Sequence, residues 1–168
     1  MVVQSRTEHR FSWWHQGVFL FDRTYAWSDD CSEYIEAASG PWLGQSHSRE
    51  VTFVSPGGAV FSSEDAPLIV EVLDGPPELS DEADGVGEFD LLVPSGQLVI
   101  EESGGGGGET VLPLPPGEWR ARWSGFGQTG AEAREYTEQS EDDPRPDRYL
   151  LQLWPLHLPG PVVIVRGY

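Results

Sequence analysis

Nucleophilic and metal chemistry need particular side chains at particular spacings, and this 168-residue sequence supplies few of them. It has one cysteine, Cys31, and four histidines, His9, His15, His47 and His157. Cys31 with His15 or His47 is the formal set for a thiol nucleophile. No nucleophile signature surrounds Cys31, and its reading is that of a small packing residue. No Gly-x-Ser-x-Gly elbow is present. The histidines are scattered, with no two at helical ligand spacing, and one cysteine excludes both a Cys-rich zinc site and an internal disulfide framework.

Carboxylates are abundant. Asp81-Glu82-Ala83-Asp84-Gly85, followed by Glu88 and Asp90, could supply oxygens to Ca²⁺. It lacks the alternating Asp spacing and distal Glu of a calcium loop, so it reads as a solvated acidic loop. Glycoside hydrolysis needs two carboxylates facing across a cleft, and so acidic a chain contains many chance pairs. The run Gly104 to Gly108 is not a phosphate cradle, because no Lys follows it and no helix pattern opens after it. The expectation is a non-enzymatic protein with no catalytic residue, no metal and no cofactor.

The charge itself is the stronger signal. Twenty-eight acids face ten bases, all Arg, for a net charge of −18. Residues 50–119 hold fifteen of the acids and no base. Such a surface repels phosphate backbones and anionic lipid, which argues against nucleic acid or a membrane as partner. Two readings stay open: a basic protein as partner, or a solvated acidic surface that only keeps the chain soluble. The opening residues carry no leader pattern and no apolar run approaches the roughly 20 residues of a membrane helix, so a cytoplasmic location is expected.

The elements that must carry these acids read as strands. Gly and Pro punctuate short apolar runs throughout, the pattern of an all-β domain. Strands are expected at 10–21, 49–55, 67–73, 87–94, 96–102, 117–125, 148–155 and 161–166. Residues 87–94 and 96–102 would be a strand pair or one bent strand around the turn Pro94-Ser95-Gly96. In Gly117 to Gly125, Trp119, Ala121 and Trp123 would face the core while Arg120 and Arg122 face water. The one helix expected lies near residues 28–39, capped by Ser28 or Asp29 and stopped by Gly40-Pro41. Residues 74–87, 104–108 and 129–147 would be loops or flexible insertions. The fold class is therefore an all-β, antiparallel sandwich of about eight strands with one short helix, in a single domain over 1–168. The predicted core is Val18, Phe19, Phe53, Ile69, Val72, Leu91, Trp119, Trp123, Leu151 and Val163.

Several segments then fall into a familiar order. His15-Gln16 opens an apolar strand. Trp27-Ser28-Asp29-Asp30 starts a short helix that ends in Ala37-Ala38-Ser39-Gly40. Phe89 to Pro94 and Leu98 to Ser103 precede Leu114-Pro115-Pro116-Gly117-Glu118-Trp119. Across roughly residues 14–123 this resembles the competence protein J family, small acidic inhibitors of a bacterial DNA-entry nuclease. The acidic and Gly-rich insertions at 74–87 and 104–108 are longer than the family pattern, and the segment beyond about residue 125 lies outside the match.

The resemblance implies a compact β-sandwich that binds a nuclease and blocks it. Its partner-binding carboxylates are expected to be Asp81, Glu82, Asp84, Glu88, Asp90, Glu101 and Glu102. The function expected is an inhibitor or immunity-type module that docks on a basic nuclease or other toxin, these carboxylates occupying the cationic groove that in a nuclease takes DNA phosphate. The alternative is a carbohydrate-binding sandwich that stacks sugars on exposed Trp13 or Trp14, Trp42 and Trp154.

Overall fold

The computed structural model describes residues 1–10, 17–25, 51–54, 67–102, 109–126, 148–157 and 163–166. Within them the chain is all β. Ten strands run in order: β1 (Val3–Arg10), β2 (Val18–Asp22), β3 (Val51–Val54), β4 (Pro67–Leu73), β5 (Gly85–Val93), β6 (Gln97–Glu102), β7 (Glu109–Pro113), β8 (Gly117–Phe126), β9 (Arg148–Pro155) and β10 (Val163–Arg166). They form a six-stranded sheet, β1-β4-β9-β8-β5-β10, and a four-stranded sheet, β3-β2-β6-β7. The two sheets pack as a sandwich around one core.

That core is built from alternate residues, as a sheet buried on one side requires. β8 contributes Trp119, Ala121 and Trp123, and β5 contributes Phe89, Leu91 and Val93. β4 and β9 add Leu68, Val70, Val72, Tyr149, Leu151 and Leu153. The four-stranded sheet answers with Val18, Leu20, Leu98, Ile100 and Leu112. Each large side chain so buried stabilises the fold by roughly 1.5–3 kcal/mol. The Trp119 indole N–H donates to the Pro115 carbonyl at 3.1 Å, which satisfies its polar end inside the core.

The structure corrects the strand reading in four places. Residues 10–21 are not one strand: β1 ends at Arg10 in the six-stranded sheet, and β2 begins at Val18 in the other. β5 and β6 are neither a pair nor one bent strand, because the turn at 94–96 carries the chain from one sheet to the other. β4 and β9 pair in parallel, with Val70 opposite Leu151. A parallel pair needs a long crossover, and here β5 to β8 make it. Ile69 is half-buried rather than core, since its register sets it on the outer face beside Glu8 and Leu150. The side chains of Phe53 and Val163, the helix expected near 28–39, and the insertions at 104–108 and 129–147 lie outside the described residues.

The turn at 94–96 is one of the connections between the two sheets. Gly96 holds φ +74°, and a Cβ there would sit 2.7 Å from the Leu114 carbonyl oxygen, so only glycine fits. Its N–H donates to the Val93 carbonyl at 3.2 Å, and its own carbonyl accepts from Leu114 N–H at 2.9 Å. Asp22, buried at the end of β2, accepts from Ser95 N–H at 2.9 Å and Ser95 Oγ at 2.7 Å. It also accepts from Thr24 N–H and Thr24 Oγ1. Burial opposes its charge, but these hydrogen bonds outweigh it and hold the carboxyl below its ordinary range.

Candidate functional site

The outer face of the six-stranded sheet carries a polar row that crosses five strands. Register sets Arg6 of β1 opposite Glu71 of β4, Glu71 beside Gln152 of β9, Gln152 opposite Arg122 of β8, and Arg122 opposite Glu88 of β5. The side chains join up along it. Arg6 Nη1 donates to Glu71 Oε1 at 2.9 Å, and Gln152 Nε2 donates to Glu71 Oε2 at 2.9 Å. Arg122 Nε donates to Glu88 Oε1 at 2.8 Å. Next to this row, Arg120 Nη1 donates to Asp90 Oδ1 at 2.8 Å and Nη2 reaches Glu88 Oε2 at 3.3 Å.

Arg120 and Arg122 were expected on a wet face. Their side chains are only 11% exposed. The acidic segment 74–84 lies over the part of this face formed by β5, β8 and β9. Arg122 Nη1 donates to the carbonyls of Pro77 at 2.9 Å and Glu78 at 3.2 Å. Its guanidinium stands 5.5 Å from the centroid of Trp154, close enough for a cation–π contact. Further along, Ala83 packs on Val86, Phe126 and Leu150. Asp84 N–H donates to the Gly125 carbonyl at 2.9 Å. At the other end of the loop, Asp74 Oδ1 accepts from Val2 N–H at 2.6 Å.

The seven expected partner-binding acids fall into three places. Asp81 and Glu82 are exposed at the tip of this loop, with Asp84 half-buried beside them. Glu82 meets Arg148 at 3.4 Å, a pair open to water and worth little. Glu88 and Asp90 lie beneath the loop, already engaged by Arg120 and Arg122. Glu101 and Glu102 belong to β6 in the other sheet. Glu102 is buried and shares the inner parity of Leu98 and Ile100. Glu101 sits opposite Glu109 of β7. Burial first, then the Glu109 charge, pushes the Glu101 carboxyl above its ordinary range.

The seven therefore do not form one continuous face. Arg122 and Glu71, which organise the outer face, were not among the candidates. The signal for Glu71 was present: a single acid in the apolar run PLIVEVL marks that strand's solvent parity.

The sugar-stacking set is also altered, because Trp154 is buried beneath Arg122. Trp13, Trp14 and Trp42 lie outside the described residues, as do Cys31, His15 and His47. His157 is exposed. Among the described residues, no three His, Cys, Asp or Glu side chains gather as a metal site, and no helix is long and apolar enough to cross a membrane.

The overall fold matches solved structures. ComJ from Bacillus subtilis, inhibitor of the DNA-degrading activity of NucA, superposes with a TM-score of 0.60 over 93% of this chain and 100% of its own, at 12% identity. The chain has a ComJ-like fold. A second structure, described as crocagin biosynthetic gene J, superposes with a TM-score of 0.55 over 90% of this chain and 97% of that one, at 16% identity. No family model and no curated protein matches the sequence. At these identities the likeness concerns the fold alone.

Proposed function

We propose that the protein is a non-enzymatic inhibitor of a basic, DNA-degrading nuclease, and that it acts by occlusion with the acidic loop 74–84. The observation that carries this reading is the ComJ-like fold over nearly the whole of both chains, since ComJ is itself a nuclease inhibitor. The charge pattern agrees with it. A nuclease groove is cationic because it must hold a polyanion, and a carboxylate-bearing loop can compete for the same groove. Asp74, Glu78, Asp81 and Glu82 are the exposed carboxylates of that loop; Asp81 and Glu82 stand together at its tip, with Asp84 beside them.

Glu88 and Asp90 take a different role in this reading. Their charge is already met by Arg120 and Arg122, and Arg122 in turn fixes the loop carbonyls. They position the loop rather than touch the nuclease. Glu101 and Glu102 form a separate acidic element on β6, next to Glu109.

The test is the triple reversal Asp81→Arg, Glu82→Arg and Asp84→Arg, with association to the nuclease followed by stopped flow at several salt concentrations. Steering by this loop requires slower association and a shallower salt dependence in the variant. Unchanged association and unchanged salt dependence would remove the loop from the mechanism.

A further inference from the structure

β1 is an unusual edge. Among the described residues it pairs only with β4, and its outward side has no strand beside it. Seven of its eight residues are exposed, although Ser5 to Arg10 keep regular register with β4. An edge this long and this open is a template for another strand, and folded proteins usually blunt such edges with charge or bulges. Here the register shift at Val3/Ser5 confines the regular run to Ser5–Arg10.

The side chains on that run are arranged symmetrically. Arg6 and Glu8 share the outer face, opposite Glu71 and Ile69, while Ser5, Thr7 and His9 share the inner one. In an antiparallel pair of two identical strands, centring on Thr7 sets Arg6 opposite Glu8 twice and Ser5 opposite His9 twice. Centring on Arg6 or on Glu8 sets like charges against each other. Centring on Ser5 opposes no Arg to a Glu, and half-residue registers turn the outer face of one copy to the inner face of the other. The Thr7-centred register is thus the pairing of five or more residues that matches both charge and face.

The wider charge distribution agrees. Two copies of a chain carrying −18 repel one another at most approaches. β1 carries Arg6 and Arg10 against Glu8 alone, so this is a place where two copies can meet without acid facing acid.

We propose that two copies of this chain associate through β1, antiparallel and centred on Thr7, joining their six-stranded sheets into one twelve-stranded sheet. An isologous contact of this kind closes on itself and stops at the dimer. Its area is that of one strand pair, which places it among weak, reversible interfaces, with Kd between about 10 µM and 1 mM.

The experiment is sedimentation equilibrium of the full chain up to ~1 mM, with the variants Glu8→Arg, Arg6→Glu and the double exchange Arg6→Glu/Glu8→Arg. Thermal unfolding confirms that each variant is folded. The wild type should show a dimer that grows with concentration. Each single reversal should weaken it about tenfold or more, because two attractive cross-strand pairs become repulsive, and the double exchange should restore most of the loss. Glu8→Arg is the cleaner single variant, since it leaves the Arg6–Glu71 pair intact. A chain that stays monomeric at ~1 mM overturns the proposal and leaves the edge to an extended segment of another protein. A dimer insensitive to both single reversals, or one the double exchange does not restore, overturns it as well.

Discussion

Arg122 Nη1 donates to the Pro77 carbonyl at 2.9 Å, tying β8 to a loop 45 residues earlier in the chain. The same guanidinium holds Glu88 through Nε at 2.8 Å and Nη2 at 2.7 Å. A positive charge from outside the acidic stretch therefore organises it. Without Arg122, Glu88 would be a partly buried carboxylate with half its support gone, and the Pro77 and Glu78 carbonyls would lose their donor.

Arg122→Ala should lower stability by about 3 kcal/mol, the scale of breaking a largely buried ion pair. Urea unfolding measures it. Arg122→Lys should recover little, because one ammonium cannot reach Glu88 and both carbonyls in a fork. Limited proteolysis should cut the variants within 74–84 before any strand is cut.

Gly96→Ala should cost about 2–3 kcal/mol, from the left-handed backbone together with the contact on the Leu114 carbonyl. Gly75 has open space around it and no such conformation, so Gly75→Ala is the control and should be nearly neutral by thermal unfolding.

Asp22→Asn should cost about 2 kcal/mol at neutral pH, since charge-assisted hydrogen bonds to Ser95 and Thr24 are lost. The Asp22 carboxyl titrates below its ordinary value in the fold. Its contribution is therefore full above the unfolded pKa of about 4 and is lost as pH falls through the lower folded value. The difference between wild type and Asp22→Asn should shrink across that acid window in a pH series of urea curves.

Glu101→Gln should act in the opposite direction. The Glu101 carboxyl is raised by burial and by Glu109, so the folded state favours its protonated form and its charge weakens the fold above that raised value. The variant should gain about 0.5 kcal/mol at pH 7, the scale of removing one like-charge cross-strand pair. The gain should fade as pH drops and wild-type Glu101 takes up its proton.

Much of the sandwich was legible because burial on one face writes an alternation into the strand. Trp119, Ala121 and Trp123 announce β8, and Leu68, Val70 and Val72 announce β4 with bounds that match the structure. β1 was missed for the converse reason. VQSRTEHR is exposed on both faces, so no apolar period marks it, and backbone pairing to β4 holds it in place. β7 is short and mostly exposed, and it was missed likewise. The turn at 94–96 was visible as a turn, but nothing local tells whether a chain returns to its own sheet or crosses to the facing one. The carboxylate that anchors this turn, Asp22, lies 73 residues away from Ser95.

The acidic candidates show the same limit. Composition marks residues 50–119 as acidic but does not say which carboxylates already have a cation. Asp90 is buried against Arg120, whereas Glu82 meets Arg148 in the open at the loop tip. Only the pairing of β5 with β8 separates the two cases.

Inhibition of a nuclease is open to one direct measurement. The immobilised protein is used to retain basic proteins from a lysate of its own organism, and the eluate is assayed for DNA degradation with the protein added back. An inhibitor of this kind should retain a DNA-degrading activity, released only at high salt, that is suppressed as the added protein approaches one equivalent, and less so by the Asp81→Arg/Glu82→Arg/Asp84→Arg variant. An eluate that degrades DNA equally well with and without the protein, or no retained DNA-degrading activity at all, would contradict it.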